Sequence, residues 1–344
     1  MQTMAGGEHG GAEAFFVRLA GGFARAGVEQ RVVVRRNAAR AAALRARGVE
    51  PVELRFGGPL DWPTRRALRR EVAAFRPDVA LAWMSRAARL TPAGDHVLVG
   101  RLGGYYDLKY YRRCDHLIGN TRDIVDYLTE AGWPAERAHY LPNFVDPPAG
   151  AADRAALAAA LDTPADAPLL VALGRLHPNK AFDVLLTALA EVPEARLRLA
   201  GAGLEEGALR ALADELDVAP RVRFLGWRDD AAALIAAADV LVVPSRHEPL
   251  GNVVLEGWAA GTPVVAADAA GPATLIEDGR TGRLVPVDDA PALAAALNNV
   301  LADPAAARSL AAAGHAAWQA DYTEAAVVAA YLDFFARIVP QGRA

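Results

Sequence analysis

One cysteine in 344 residues leaves no partner for an intramolecular disulfide, so Cys114 reads as a small core hydrophobe in a reducing compartment. No stretch approaches the ~18 to 20 uninterrupted apolar residues of a membrane-spanning helix, and the first residues lack the basic-then-apolar layout of a signal peptide. These absences place the chain in the cytoplasm. G-x-G-x-x-G spacing is missing too, as is a lone acidic residue about twenty positions on at a strand end, which argues against dinucleotide binding. His9, His177 and His247 each stand beside a glycine-rich or charged segment, but none has ligand-like spacing to a second His, Cys or Asp. No metal is expected. Nothing beyond a mild basic bias suggests nucleic acid.

What the chain does contain is enough apolar material for two domains. At 53% hydrophobic and 23% charged, with Gly 30 and Pro 22, it has the composition of an ordinary globular protein, and its length exceeds the size at which one core stops growing. The net charge of -4 is unevenly divided: residues 1 to 150 carry 22 Lys and Arg against 16 Asp and Glu, and the remainder 15 against 25. A basic first half suits an acidic acceptor or an anionic membrane surface; solvated arginine-rich helix faces, such as Arg65 to Arg76, account for it more simply.

Short β-branched runs alternate with stretches of helical period. Arg31 to Arg35, Val52 to Phe56, Val79 to Trp83, Val97 to Leu102 and Leu117 to Gly119 read as strands, separated by helices. This alternation predicts a parallel sheet covered on both faces. Only Met1 to Met4 precede the first glycine cluster, so the opening strand looks truncated, either by an assigned start downstream of the natural one or as a stub the sheet tolerates. Pro142 to Gly150 breaks the rhythm as a hinge-like linker. A second series follows, at Leu169 to Leu173, Leu197 to Ala200, Val222 to Leu225, Val240 to Val243, Pro263 to Ala266 and Leu284 to Val287. Val240 to Val243 is apolar without alternation, as a strand buried on both faces requires, and a ligand is expected at its carboxyl end. In the last segment, Thr323 to Ile338, residues Val327, Tyr331, Phe334, Phe335 and Ile338 share one helical face that must be buried, and packing back across the domain junction is expected.

The segment Ser245 to Glu256 carries the most chemistry. It leaves the buried strand and enters a helix near Asn252, whose free N–H groups and positive dipole end, with Gly251 allowing close approach, suit a diphosphate. Glu248 before the helix and Glu256 about one turn inside it are acceptors for sugar hydroxyls; as isolated residues they would be a dipole-compensating charge and a helix-surface charge. Gly174-Arg175-Leu176-His177-Pro178-Asn179-Lys180 also follows a strand and brings two cations to the start of a helix, fit for a departing diphosphate. Gly6 to Glu13 is a glycine-rich loop opening a helix, a phosphate cradle of low specificity. Gly201-Ala202-Gly203 is a weaker signal of the same kind.

Taken together, HGGAE at 9 to 13, LPNFVD at 141 to 146, GRLHPNK at 174 to 180, EPLGNVVLE at 248 to 256 and TGRLVPVDD at 281 to 289 resemble the retaining glycosyltransferases of family 4, group 1, of the lipopolysaccharide-core type. The resemblance implies a GT-B fold: α/β, two Rossmann-like doubly wound parallel-sheet domains facing across a cleft. Residues 1–147 would form the acceptor domain, 148–318 the nucleotide-sugar domain, and 319–344 a helix returning to the first. It implies that Arg175 and Lys180 bind the donor diphosphate, Glu256 the ribose hydroxyls and Glu248 a hydroxyl of the donor sugar. Gly251 and Asn252 would supply backbone contacts, Gly10 and Gly11 would approach the phosphates, and Trp227 and Arg228 would help to read the nucleotide. One departure is that no histidine follows the strand Val97 to Leu102. Asp107 could fill a polar role there toward donor or acceptor. The neighbouring Leu108 to Arg113, mixing aromatic and basic groups, suits a lipid headgroup or an anionic saccharide, and a partly buried helix equally.

The expected activity is therefore metal-independent, retaining transfer of a hexose from a nucleoside-diphosphate sugar to a saccharide or lipid-linked acceptor, without a cofactor. A role in lipopolysaccharide or other cell-envelope glycan synthesis, and peripheral contact with the inner membrane surface, are expected by analogy. The competing readings are a nucleotide-sugar epimerase, a phosphorylase on the same fold, and a sugar-nucleotide-binding protein without catalysis.

Overall fold

The computed structural model describes residues 1–340 apart from 8–9, 59–60, 151–153, 162 and 165. The chain divides into two compact units, one of Met1–Phe144 together with the C-terminal segment from Glu324, the other of Val145–Thr323.

In the first unit seven strands form one parallel sheet: β1 (Gln2–Met4), β2 (Val32–Arg35), β3 (Pro51–Leu54), β4 (Val79–Trp83), β5 (Val97–Leu102), β6 (His116–Gly119) and β7 (Ala138–Tyr140). Their order is β3-β2-β1-β4-β5-β6-β7. The short β1 sits in mid-sheet, paired with both β2 and β4. Strand β7 escaped the sequence reading because its three half-buried residues lack a β-branched run. Phe56, expected at the end of a strand, instead takes a left-handed conformation (φ 46°) two residues beyond β3.

Two apolar layers cover this sheet. One gathers Phe15, Phe16, Phe23, Trp83 and Phe144 with the C-terminal helix Glu324–Ile338, whose Val327, Val328, Tyr331 and Phe334 are buried. The helix is tied down by a buried cation: Arg101, at the end of β5 and 2% exposed, donates to the Tyr331 hydroxyl at 2.8 Å and to Asn143 Oδ1 at 2.6 Å. Its guanidinium lies over the Trp83 and Phe15 rings at 4.4 and 4.8 Å, so π-faces and neutral acceptors hold it, with no carboxylate among its described partners. The other layer holds Cys114, whose thiol burial pushes up to about 12, and Tyr111. Tyr111 anchors a 3₁₀ turn, Leu108–Tyr110, where the aromatic and basic cluster stands.

Six parallel strands build the second unit: β8 (Leu169–Leu173), β9 (Arg196–Ala200), β10 (Val222–Gly226), β11 (Val240–Val243), β12 (Val264–Ala267) and β13 (Arg283–Val285), in the order β10-β9-β8-β11-β12-β13. Every residue of β11 is buried, as its unbroken apolar run demands. The expected linker is anchored from both ends. Phe144, fully buried, belongs to the first core, while Val145 enters the second, where its carbonyl accepts from Trp318 Nε1 at 3.2 Å.

Candidate active site

Strand order decides where a ligand can sit. In the second unit β8 and β11 are neighbours, and the chain winds away from them in opposite directions, which opens a crevice beyond their carboxyl ends. The Gly174 to Lys180 segment leaves β8 and the Ser245 to Gly251 segment leaves β11, so the two motifs stand side by side.

They are joined by charge. Lys180 Nζ donates to Glu248 Oε2, with side chains only 20% and 10% exposed. The His247 amide donates to Asn179 O at 3.1 Å. Arg246 donates to Pro178 O at 2.8 Å and to both Asp183 oxygens at 2.9 and 2.7 Å, and its Nε meets Asp288 Oδ1 at 2.5 Å. Arg246 thus staples three segments, those after β8, β11 and β13, a role its sequence position did not reveal. Of the two cations expected to be fixed, Lys180 is held. Arg175 is exposed and has no side-chain partner among the described residues.

The backbone beneath these side chains is set by close approach. Gly251 caps the helix Asn252–Ala260 in a left-handed conformation (φ 65°), and a Cβ there would lie 2.7 Å from Leu275 Cδ1. The Gly271 amide, in the segment after β12, donates to Glu248 O at 2.7 Å. Gly201 and Gly203 are likewise set by close approach. A Cβ on Gly201 (φ 144°) would fall 1.8 Å from Gly174 O, and one on Gly203 2.2 Å from Leu176 O. The loop after β9 therefore presses directly on the loop that carries Arg175.

Asn252 opens the helix and Glu256 sits half-buried one turn in. Trp227 and Arg228 follow the edge strand β10, two strands from β8. Trp227 is 77% exposed, with Nε1 donating to Asp229 Oδ1 at 3.1 Å, and Arg228 is paired with Asp230 at 2.7 and 2.5 Å.

In the first unit β1 and β4 mark the corresponding switch point, and the glycine loop leaves β1. Glu8 and His9 lie outside the described residues. Glu13, 9% exposed, folds back over the loop, and its Oε1 accepts from the Gly7 amide at 2.7 Å. A Cβ on Gly6 or Gly10 would come within 2.3 Å of the Glu13 carboxylate, whereas Gly11 has open space. In the described part of the loop, the Gly7 amide is thus taken by the protein's own carboxylate. Asp107 is exposed, starts the 3₁₀ turn by accepting from the Lys109 amide at 2.9 Å, and is held below the usual carboxylate range by its Lys109 partner. Among the described residues, no helix is long and apolar enough to cross a membrane.

Comparison with known proteins agrees with this geometry. Residues 167–303 match the family described as glycosyl transferases group 1, and residues 9–148 match glycosyltransferase family 4. The chain is 39% identical over 340 residues to the lipopolysaccharide core biosynthesis glycosyltransferase LpsE of Rhizobium meliloti, covering 96% of this chain and 97% of that one. LpsD of the same organism is 37% identical, with 96% of each covered. Anabaena HepE, solved in complex with UDP, superposes with a TM-score of 0.86 at 22% identity over 98% of this chain and 99% of its own. WaaG, a glycosyltransferase involved in lipopolysaccharide biosynthesis, gives 0.71 at 20% over 99% and 100%. Two matching family segments, near-full-length relatives and two doubly wound parallel sheets establish that this chain belongs to the family 4, group 1 glycosyltransferases and is a glycosyltransferase of GT-B fold.

Proposed function

We propose that the enzyme moves a hexose, with retention of configuration and without a metal, from a nucleoside-diphosphate sugar to a saccharide or lipid-linked acceptor in lipopolysaccharide core assembly. The observation that carries the reading is the Lys180–Glu248 pair at the β8/β11 switch point. An ammonium has three N–H donors, and Glu248 uses one; the others remain for diphosphate oxygens. The second oxygen of Glu248 remains for a sugar hydroxyl. The pair thus sets a cation and an acceptor beside each other before any substrate arrives, which is where electrostatic preorganisation has its effect.

In this scheme Arg175 and Lys180 take the charge that develops on the leaving diphosphate, and Glu256 takes the ribose. The C1–O bond to phosphate breaks, the acceptor oxygen bonds C1 on the same face, and the acceptor proton passes to the departing phosphate oxygen. The names of LpsE and LpsD support the core-assembly assignment, and the UDP complex of HepE supports a uridine nucleotide. Peripheral membrane contact has one supporting feature: Trp62, 72% exposed, opens an arginine-rich helix whose Arg66, Arg69 and Arg70 are exposed.

Thermal unfolding against UDP, GDP, ADP, CDP and NAD, without metal and then with magnesium, tests the proposal. UDP at ~100 times its dissociation constant is expected to add about 2.7 kcal/mol of stability without metal, and Glu256→Ala to weaken that response. A response to NAD alone, or to nucleotide only with magnesium, would overturn it.

A further inference from the structure

Five of the eight tyrosines stand between residues 105 and 127, in the segments that follow β5 and β6, and the glycosyltransfer scheme above uses none of them. Tyr111 is buried in the core, whereas Tyr105 is 47% exposed. Exposure does not leave it loose. The helix Arg122–Glu130 grips it from two positions one turn apart: Asp123 Oδ2 accepts from its hydroxyl, and the Tyr127 ring meets its ring nearly at a right angle, centroids 5.3 Å apart. The Tyr127 hydroxyl donates to Tyr106 O at 3.0 Å, which fixes the backbone beside the ring. A ring held by its tip and by a second ring is ordered before a ligand arrives, so binding on its open face does not have to order it again.

Two glycines precede this ring, and the fold does not explain them. Gly103 and Gly104 have no positive φ, and a Cβ on either would meet nothing nearer than Asn120 Nδ2 at 3.8 Å and the Tyr106 ring at 3.9 Å respectively. Gly100 and Gly119 in the same sheet are different: a Cβ there would lie 2.7 Å from the Tyr111 ring and 2.9 Å from Ile124 Cγ2. What Gly103 and Gly104 supply is open space next to Tyr105. The charges around that space balance. Asp107 meets Lys109 Nζ at 2.5 Å and is also attracted by Arg112, Asp123 holds the Tyr105 hydroxyl, and Arg122 turns away to lie over Tyr140 at 4.8 Å. An anion would find no net positive charge there. An uncharged pyranose fits better: its C–H face stacks on an aromatic ring, and its hydroxyls bond to the surrounding polar groups. The place is apt as well, since β5 lies two strands from β1 and its glycine loop, about 10 Å at ~4.8 Å per strand, the length of roughly two saccharide rings.

We propose that Tyr105 is a specificity-determining residue, its ring the platform on which an uncharged pyranose of the acceptor stacks, with the Gly103–Gly104 backbone as the floor beside it. The proposal rests on the reading of the chain as a saccharide glycosyltransferase and adds the surface that selects the acceptor. Asp123 and Tyr127 act as positioning residues by holding the ring.

The test is saturation-transfer NMR on the full chain, with the methyl α-pyranosides of glucose, galactose and mannose and, separately, UDP. Wild type is compared with Tyr105→Phe, Tyr105→Ala, Gly103→Ala and Glu248→Gln. At least one pyranoside is expected to receive saturation at its ring C–H protons when the protein's aromatic protons are irradiated. Tyr105→Ala is expected to weaken that pyranoside about tenfold, Gly103→Ala roughly threefold, and Tyr105→Phe by no more than about twofold, because the ring remains. All three variants at these two positions should keep the wild-type melting temperature and UDP response. No pyranoside signal from wild type, or wild-type affinity in Tyr105→Ala, would overturn the proposal. Equal losses in Tyr105→Phe and Tyr105→Ala would also overturn it, by assigning the effect to the bond with Asp123 and not to the ring. A fall in melting temperature in Tyr105→Ala with wild-type affinity in Gly103→Ala would make Tyr105 a loop anchor only. A pyranoside signal lost in Glu248→Gln and kept in Tyr105→Ala would place the sugar on the donor residues. Failure of UDP to bind wild type would sink the donor reading alone, since the pyranoside readings are made without it.

Discussion

The two units share a doubly wound parallel topology, yet the polar groups at their switch points behave differently. In the second unit they are matched to one another: Lys180 with Glu248, and Arg246 with Asp183 and Asp288. In the first, Glu13 occupies the glycine loop while Arg35 and Arg36 stand without described partners. One sheet plan therefore supports two electrostatic designs, one built around a matched cation and acceptor, the other leaving two arginines unmatched among the described residues. Topology places a switch point in each unit, and side-chain pairing sets the charge presented there.

The comparison breaks most directly at Lys180. Lys180→Ala is expected to lower the transfer rate by about 10²- to 10³-fold while circular dichroism stays native, because a charge-stabilising donor is lost and Glu248, 10% exposed in its side chain, can still reach water. A wild-type rate would show that the second site does not depend on its fixed cation.

Glycines sharpen the contrast. Gly201→Ala forces a Cβ into Gly174 O from a backbone conformation that L residues rarely adopt, so a loss of about 3 kcal/mol or more in denaturant unfolding is expected. Gly11→Ala meets open space and should change stability by no more than about 1 kcal/mol. If Gly11→Ala nonetheless weakens UDP binding, glycine is required there for a ligand's approach and not for the fold.

The smallest effect is on pH. His139 on β7 packs at a tilt against Phe334, ring centroids 4.6 Å apart, and lies 3.0 Å from His116, and burial, then the His116 and Arg337 charges, push its pKa down from 6.5 to about 4. Between those values the unfolded chain holds a proton that the folded chain refuses, so stability falls as pH drops from about 6.5 toward about 4. The melting temperature should be a few degrees lower at pH 5.5 than at 7.5, and the drop should shrink in His139→Phe. An equal drop in both proteins would assign the acid sensitivity elsewhere.

Much of this was legible without a structure, and for a local reason. Val79–Trp83, Val97–Leu102, Leu169–Leu173 and Val240–Val243 agree residue for residue with their expected spans, because a strand buried on both faces must be a short continuous apolar run. Strand β7 and the stub β1 carry too few residues to show a period. The packing at Gly201 and Gly203 was not legible: a glycine that admits a phosphate and one that admits another loop look the same in a sequence. Arg101 showed no signal at all, since an arginine at the end of an apolar strand does not declare that it will be buried against two rings and a tyrosine 230 positions away.

The sequence by itself determined the alternation of strands and helices, the division into two halves and the motifs that follow particular strands, all of them consequences of short-range periodicity and backbone chemistry. Tertiary structure alone decided that β8 lies beside β11, that Lys180 meets Glu248, and that Arg40 is buried next to Gly7 with one nitrogen idle. Those facts depend on which strands become neighbours and which charges then lose their water, and neither property belongs to any stretch of chain taken alone.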